Sequence, residues 1–388
     1  METFDAIVIG AGAAGLMCAA AAGARGRRVV LLDHGTEAGA KILISGGGRC
    51  NFTNEHTAPD RFVSSNPAFC RGALSRYTPH DFIGLIERHG IAYHHKALGQ
   101  LFCDGSARAV VAMLLDECAA AGVAVRLGHR VTALDHGLDY TVSTDQGGFS
   151  APKLVLATGG LSIPKMGATA FAYDAARRFG LPIVPPRPGL VPLTFDGDDL
   201  TLMRSLSGVS LPVKARAGKL SFSEAMLFTH RGLSGPAILQ ASSYWDGAGP
   251  LMLDLLPGLD AGHHLLERKR SRPRAELRTL LAEILPARLA QSWPTPAGPI
   301  ADQPDRVLHA LATSLNQNVL RPSGNEGYPK AEVTIGGIDT RALSSQTMES
   351  RTTPGLFAIG EAVDVTGWLG GYNFQWAWAS GWCAGQAL

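Results

Sequence analysis

The feature that most constrains the fold is a glycine-rich turn between two apolar segments near the start of the chain. Residues 4–9 read FDAIVI, a β-branched run typical of a buried strand. Gly10, Gly12 and Gly15 follow in the order Gly-x-Gly-x-x-Gly and lead into a helical stretch, after which residues 28–33 form a second apolar run. Strand, turn, helix and strand in this order predict a βαβ unit, and with it an α/β fold containing a parallel sheet.

The spacing of these glycines also predicts a bound diphosphate. Gly10 permits the tight turn, Gly12 leaves room for a phosphate group, and Gly15 lets the helix pack closely on the strand. The first N–H groups of the helix, those of Ala13 and Ala14, lie at its positive end, which attracts anions. We therefore expect all five residues to contact a dinucleotide.

An acidic residue ends the second strand. Asp33 lies 18 residues after Gly15, where a carboxylate can accept hydrogen bonds from both hydroxyls of an adenosine ribose. We expect Asp33 and the neighbouring His34 to contact this part of the dinucleotide. The first motif alone does not separate FAD from a nicotinamide cofactor.

Two distant apolar segments favour FAD. Residues 153–160 read KLVLATGG and residues 355–364 read GLFAIGEAVD, so each strand ends in glycine. Ligands of open parallel sheets lie at the carboxyl ends of the strands, and a carboxylate there suits the ribityl chain. This pattern resembles the glutathione-reductase-like FAD fold, with Glu361 in the place of the usual Asp. The candidate contacts are Thr158, Gly159, Gly160, Gly360 and Glu361.

Several longer motifs carry a closer resemblance. Residues 41–54 read KILISGGGRCNFTN, residues 226–236 MLFTHRGLSGP, residues 332–338 EVTIGGI, and residues 360–381 contain GGYNFQ. Together they resemble the BaiN-type predicted flavoproteins, which include the aminoacetone-oxidase-like enzymes. The resemblance implies non-covalent FAD, a Rossmann-like domain split by an insertion, and a redox activity.

The same motifs supply further cofactor contacts. A loop of successive glycines can lie flat against a ring or a phosphate, and a helix that begins near Gly371 would stabilise the anion of reduced flavin. In the superfamily that the chain resembles, the backbone at the position of Val131, on an edge strand of a β-meander, pairs with the adenine edge. The remaining candidates are Lys41, Gly47, Gly48, Arg49, Cys50, Asn51, Gly371, Asn373 and Phe374.

Three side chains are candidates for catalysis. Cys50 would assist proton transfer or form a flavin adduct if its thiolate were stabilised, but a small residue packed under the ring is the alternative. Tyr372 would line the substrate face, or belong to a core helix. His230 would act as a base or orient a substrate, whereas a histidine satisfied by the backbone of a turn explains it equally well.

The middle of the chain predicts an insertion. Short apolar runs suggest a small β-barrel or sheet, with Ser234 as the N-cap of a helix that has Pro236 at its start, and residues 265–289 and 306–319 show helical periodicity. The expected domains are an FAD-binding domain over 1–188 and 331–388, an inserted β subdomain over 189–256 and 320–330, and an inserted helical subdomain over 257–319.

These features predict an FAD-dependent oxidoreductase that transfers hydride at N5 of the flavin. The first hypothesis is an oxidase of a small amine or amino ketone that uses O2. A second is an NAD(P)H-dependent reductase of an activated alkene; because no second Gly-x-Gly-x-x-Gly follows a strand, NAD(P)H would visit the flavin only transiently. A third is an RNA-binding or sensor flavoprotein with little turnover.

Composition limits the partners. Lys and Arg number 35 against 33 Asp and Glu, so no overall charge attracts nucleic acid or membrane, and the basic residues 267–278 are interpreted as a solvated helix face. The uncharged residues 6–24 contain four glycines, which disfavours a membrane span. Six scattered cysteines without a Cys-x-x-Cys pair give no support for a metal site. We expect a cytoplasmic enzyme with a small-molecule substrate, and the sequence leaves the oligomeric state open.

Overall fold

A computed structural model describes all 388 residues, which form two compact units. The first unit comprises Met1–Pro188 and Val333–Leu388, and the inserted unit comprises Gly189–Glu332. The predicted helical subdomain, residues 257–319, lies within the inserted unit together with its sheet.

The strands are short, and many end in turns that contain glycine. They are β1 (Glu2–Thr3), β2 (Ala6–Ile9), β3 (Val29–Leu32), β4 (Asn51–Asn54), β5 (Phe62–Val63), β6 (Tyr93–His95), β7 (Gln100–Cys103), β8 (Ala124–Arg126), β9 (Val131–His136), β10 (Tyr140–Thr144), β11 (Gly147–Ala151), β12 (Leu154–Leu156), β13 (Ile183–Gly189), β14 (Leu193–Thr194), β15 (Ser210–Ala217), β16 (Leu220–Thr229), β17 (Gly232–Ser234), β18 (Leu251–Asp254), β19 (Asn318–Leu320), β20 (Gly324–Asn325), β21 (Val333–Ile338), β22 (Leu356–Ala358) and β23 (Thr366–Gly367).

The helices are α1 (Ala13–Gly23), α2 (Ala40–Ile44), α3 (Cys70–Arg76), α4 (Pro79–Arg88), α5 (Arg108–Ala120), α6 (Phe171–Arg178), α7 (Gly197–Ser205), α8 (Pro236–Ser242), α9 (Ala261–Ser271), α10 (Leu277–Leu281), α11 (Ala287–Ser292), α12 (Asp305–Asn316) and α13 (Tyr372–Ala387).

A five-stranded parallel sheet forms the centre of the first unit. Its strand order is β22-β12-β2-β3-β8, and all four residues of β2 and of β3 are buried, as expected for apolar strands covered on both faces. A second sheet, β1-β11-β10-β9, contains the predicted meander with β9 at its edge. The predicted Rossmann-like α/β fold is confirmed.

Helices α1 and α13 pack against each other through glycines. A Cβ atom on Gly381 would lie 2.5 Å from the carbonyl oxygen of Ala14, and one on Gly385 would lie 2.6 Å from Cβ of Ala21. These glycines therefore allow close approach of the two helices. The other side of α13 buries Trp376 and Trp378 in the core, which fixes the position of the helix start.

The inserted unit is built on a seven-stranded sheet with the order β19-β18-β15-β16-β17-β14-β20, whose neighbours are all antiparallel. Exposed and buried residues alternate along β15, so one face of this strand packs on the core. Helix α12 packs on α9 and on β18, so helices and sheet share one unit.

The helices of the inserted unit depart from the predictions. The single helix predicted over 265–289 is wrong: Pro273 and Pro286 lack the N–H group that a helix interior needs, and α9, α10 and α11 occupy this stretch instead. The N-cap of α8 is Gly235 at a φ of +88°, while Ser234 is the last residue of β17. No helix in the structure has both the length and the apolar character needed to span a membrane.

Candidate active site

The turn between β2 and α1 has the geometry that its glycines predict. Gly10 has a φ of +114°, and a Cβ there would lie 2.4 Å from the carbonyl oxygen of Ala157. A Cβ on Gly15 would lie 1.8 Å from the carbonyl oxygen of Gly10. Gly12 is different, because nothing lies within 4 Å of its Cβ position and no side chain caps the helix that follows. Backbone atoms therefore enclose the turn at Gly10 and Gly15. The space beside Gly12, next to the first N–H groups of α1, is free of protein atoms.

Asp33 lies directly against this turn. Its Oδ2 accepts a hydrogen bond of 2.6 Å from the N–H of Ala11, and its Oδ1 accepts one of 2.7 Å from the N–H of Gly35. Both oxygens keep a further lone pair for a ribose hydroxyl. The His34 ring is 3.6 Å from Asp33 Oδ1, measured from its Nδ1.

Backbone hydrogen bonds connect the segment before β9 to Asp33 and Gly35. The N–H of His129 donates to the carbonyl oxygen of Asp33 at 2.8 Å, and the N–H of Gly128 donates to Gly35 at 2.9 Å. Val131, the residue predicted to pair with adenine, begins β9 two residues later. The structure therefore brings the predicted ribose and adenine contacts together.

The ends of β12 and β22 meet around Glu361. Thr158, two residues after β12, has a buried hydroxyl without a hydrogen-bond partner. Gly159 and Gly360 both have positive φ angles, of +75° and +64°. A Cβ on Gly160 would lie 2.9 Å from Oε1 of Glu361, so only glycine fits beside this carboxylate.

The Glu361 carboxylate is held by a network. Oε2 lies 2.6 Å from Nζ of Lys41, while Oε1 accepts hydrogen bonds from the Ser162 hydroxyl at 2.8 Å and the Thr334 N–H at 2.9 Å. Lys41 also donates to the Ser162 hydroxyl at 2.6 Å. Glu361 and Lys41 were both predicted as cofactor contacts, and the structure pairs them with each other.

Sequence reasoning missed Ser162 and Thr334. Thr334 lies inside the quoted motif EVTIGGI, so a signal existed, whereas Ser162 follows Gly160 with no motif of its own. The Thr334 hydroxyl accepts hydrogen bonds from the N–H groups of Leu161 and Ser162. Both residues serve to fix the Glu361 carboxylate.

The glycine turn Ser45–Gly48 and the start of α13 pack on the same small sheet, β4-β7-β6. A Cβ on Gly46 would lie 2.7 Å from the Phe102 ring, and one on Gly371 would lie 2.3 Å from the carbonyl oxygen of Thr53. The amide of Asn51 lies 3.1 Å from that of Gln100, a further residue that the sequence did not reveal. Two motifs more than 300 residues apart thus adjoin.

The other residues predicted in these two motifs differ in exposure. Gly47 and Arg49 are exposed, and nothing lies within 4 Å of a Cβ placed on Gly47. Gly48 has a φ of +84°. The Asn373 side chain bonds the backbone of Gly367 in both directions and so holds the loop before α13. Phe374 stacks on a tryptophan of the same helix.

The three candidates for catalysis have different surroundings. Cys50 is fully buried, and burial raises the pKa of its thiol despite a hydrogen bond to Ser45, so its thiolate is disfavoured. Tyr372 is the first residue of α13 and packs edge-on against Phe62 at 6.2 Å between ring centroids. His230 is exposed in the turn between β16 and β17 of the inserted unit.

Three features of the first unit fit FAD. The turn at Gly12 leaves space over uncapped N–H groups, Asp33 presents carboxylate oxygens beside it, and the buried Thr158 hydroxyl lacks a partner. An extended dinucleotide needs an anion site, a ribose acceptor and contacts at the strand ends, and all of these lie at the carboxyl edge of one parallel sheet.

The fold and this edge define a flavoprotein oxidoreductase that binds FAD. The chain belongs to the family described as HI0933-like protein Rossmann domain, whose profile matches residues 4–387. A ribosomal RNA dihydrouridine synthase of Escherichia coli is 49% identical, covering 100% of this chain and 98% of that protein. One of Haemophilus influenzae is 45% identical, covering 98% of each. A 3-dehydro-bile acid delta(4,6)-reductase of Clostridium scindens is 29% identical, again covering 98% of each.

Solved structures share the fold at low sequence identity. The 3-ketosteroid delta1-dehydrogenase of Sterolibacterium denitrificans matches with a TM-score of 0.51 at 14% identity, covering 100% of this chain and 99% of that one. A quinol-fumarate reductase matches with a TM-score of 0.52 at 15% identity, covering 100% of this chain and 70% of that one. These similarities concern the architecture.

Proposed function

We propose that the chain reduces a uridine of ribosomal RNA to dihydrouridine with FAD as its cofactor. The observation that carries this proposal is the similarity to two proteins named for that activity. The chain is 49% and 45% identical to them in sequence, over nearly the whole length of each protein. The double bond of the uracil ring is conjugated to a carbonyl group, so it is an activated alkene. The proposed enzyme is therefore a reductase of an activated alkene, as in the second hypothesis from the sequence, with RNA as its substrate.

The chemistry requires one hydride and one proton to add across the carbon–carbon double bond. FAD held by the Gly10–Gly15 turn, Asp33 and the ends of β12 and β22 would supply the hydride chemistry, with a nicotinamide as the source of electrons. The protein positions both partners and excludes water. No side chain caps the start of α13, and the positive end of this helix would stabilise negative charge on a ligand placed there.

The proton has three candidate donors among the predicted catalytic residues. Cys50, whose thiol stays protonated because burial raises its pKa, is one, and Tyr372 and His230 are the others. We expect that replacing the true donor, by Cys50→Ser, Tyr372→Phe or His230→Gln, abolishes dihydrouridine formation while NADPH still reduces the flavin. Bleaching of flavin absorbance and nucleoside mass spectrometry measure the two steps separately.

The proposal is tested by incubating the FAD-loaded protein with NADPH and ribosomal RNA transcribed in vitro. Nucleoside mass spectrometry should reveal uridine that has gained two hydrogen atoms. The matched control is Gly12→Val, which should keep the fold, because nothing lies within 4 Å of a Cβ on Gly12, and should obstruct the diphosphate site. If the flavin is reduced and the RNA stays unmodified, even as an assembled ribosomal particle, the proposal is wrong.

A second candidate is an enone reductase that acts on a free small molecule. The relative named as a bile acid delta(4,6)-reductase favours it, although at 29% identity. Steady-state oxidation of NADPH with conjugated steroid ketones in place of RNA would detect this activity. The narrower resemblance to BaiN-type and aminoacetone-oxidase-like enzymes also stays a prediction, and O2 uptake with aminoacetone tests it.

A further inference from the structure

Three of the six basic side chains in residues 267–278 are paired with acidic residues of the inserted unit. Arg268 and Arg272 both contact Glu283, and Lys269 lies 2.8 Å from the Asp305 carboxylate. Paired cations contribute little to binding a polyanion, because the contact with phosphate must first replace the existing one. Exposed cations without an acidic partner are better ligands for phosphate, and those of the first unit lie on the unit that carries the candidate FAD site.

Two such cations of the first unit, Arg49 and Lys96, lie near the small sheet β4-β7-β6. Arg49 follows the glycine turn Ser45–Gly48; it is exposed, and its side chain makes no ion pair. Lys96 is exposed at the tip of the hairpin between β6 and β7, where its Nζ lies 4.8 Å from the centre of the Phe102 ring. The carbonyl oxygen of Arg49 accepts a hydrogen bond from the N–H of Cys103, which connects the turn to the hairpin.

Exposed apolar side chains accompany these cations. Leu98, at the hairpin tip, is 57% exposed and has a φ of +63°, a conformation that a leucine rarely adopts. Ile44, directly before the glycine turn, is 48% exposed. Such side chains cost solubility unless a partner covers them, and unstacked bases present flat apolar faces that suit them.

The acidic groups of this region contact histidine rings. Glu55 lies 3.2 Å from the His95 ring and Asp104 lies 2.7 Å from the His94 ring. Neither histidine is an alternative phosphate ligand while it keeps its carboxylate. Arg49 and Lys96 themselves make no ion pair, so their charged groups are available to phosphate.

We propose that Ile44, Arg49, Lys96 and Leu98 form the surface, here called the substrate rim, that binds the RNA strand beside the target uridine. This inference rests on the proposed function. The rim adjoins the start of α13, because Gly370 packs on Gln100 and Gly46 on Phe102, both residues of β7. The cations contact phosphates, and the two apolar side chains contact bases that have left a duplex or loop.

The test measures binding of the FAD-loaded full chain to a fluorescent single-stranded uridine oligonucleotide at several KCl concentrations. For Lys96→Gln we expect weaker binding at low salt and a salt slope, log K against log salt, that falls by about 0.7; with Arg49→Gln added, the slope falls by about 1.4 and affinity drops about tenfold or more. Leu98→Asn tolerates the positive φ and should weaken binding without changing the slope.

The matched control is Lys219→Gln, which removes an exposed lysine from the turn between β15 and β16 and should bind the oligonucleotide as the unchanged chain does. Lys96→Gln should keep its FAD affinity and its reduction by NADPH. Arg49→Gln separates two roles: a loss of FAD affinity without a loss of RNA affinity overturns its place in the rim.

The outcomes distinguish this inference from the proposed function. If the unchanged chain forms dihydrouridine and the Lys96 and Leu98 variants bind and modify RNA equally well, the rim is wrong and the function stands. If the unchanged chain neither binds the oligonucleotide nor modifies ribosomal RNA, the function fails and the rim fails with it.

Discussion

Gly10 and Gly12 are two residues apart and have opposite surroundings. Gly10 faces the backbone of Ala157, while Gly12 faces open space. Gly10→Ala should therefore destabilise the fold by about 2–4 kcal/mol through strain and overpacking. Gly12→Val should leave the urea midpoint of the FAD-free protein unchanged and weaken FAD binding by about 100-fold or more, about 2.7 kcal/mol. A Gly12 variant that binds FAD normally would contradict the site.

The pairing of Lys41 with Glu361 gives a second prediction at this scale. The two side chains are 32% and 20% exposed, so part of the charge is shielded from water. Lys41→Met leaves the carboxylate with Ser162 and Thr334 alone, and we expect a loss of about 1–3 kcal/mol in unfolding free energy. The Lys41→Met variant should also bind FAD more weakly, with a larger dissociation constant.

The control for this pair is a double-mutant cycle with Glu361→Gln. A coupling close to zero would show that the two charges act independently, against the network that the distances describe. Lys41→Arg, which keeps the charge, should recover much of the stability.

At the scale of elements, the contact between α1 and α13 positions the start of α13. Gly385→Leu would place a side chain where only about 2.6 Å separates a Cβ from Ala21, so the helices must separate. We expect a loss of about 1–3 kcal/mol in urea denaturation, together with weaker FAD binding, because the start of α13 shifts. Gly84→Ala in α4 is the control: it has space, and should stabilise slightly. Equal effects of both would contradict the packing argument.

At the scale of the whole molecule, the cysteines make a common prediction. All six are buried and free. Burial raises the pKa of Cys70, Cys103 and Cys383 from 9.0 to about 11, and that of Cys118 to about 12. Native protein at pH 8 should therefore react with no more than traces of a thiol reagent, and all six thiols should react after unfolding.

The raised pKa values of the thiols also determine how the free energy of unfolding changes with pH. The unfolded chain releases its thiol protons near pH 9, whereas the folded chain retains them to about pH 11. The thiols thus stabilise the fold fully below pH 9, and this contribution is lost as the pH rises from 9 towards 11 and above. Urea midpoints across this range check it; replacing Cys103 by Ala should flatten the decline.

The sequence by itself determined the βαβ unit, the parallel sheet, the steric need for glycine at Gly10 and Gly15 and the position of Asp33. These features depend on local sterics and on residues within one βαβ unit, so their spacing along the chain is sufficient to predict them. The sequence also identified the ends of β12 and β22, because each apolar strand stops at glycine. It did not separate the three catalytic candidates.

Only the tertiary structure decided which polar groups meet. The Lys41–Glu361 pair joins residues 320 positions apart, and the contact of Gly370 with Gln100 brings a helix start onto a hairpin. Many carboxylates and cations along the chain could form such pairs, and local patterns do not rank them. Which carboxylate meets which cation depends on how whole helices and strands pack, because packing places the end of each strand. The free energy of that packing comes from contacts throughout the core, which no local pattern contains.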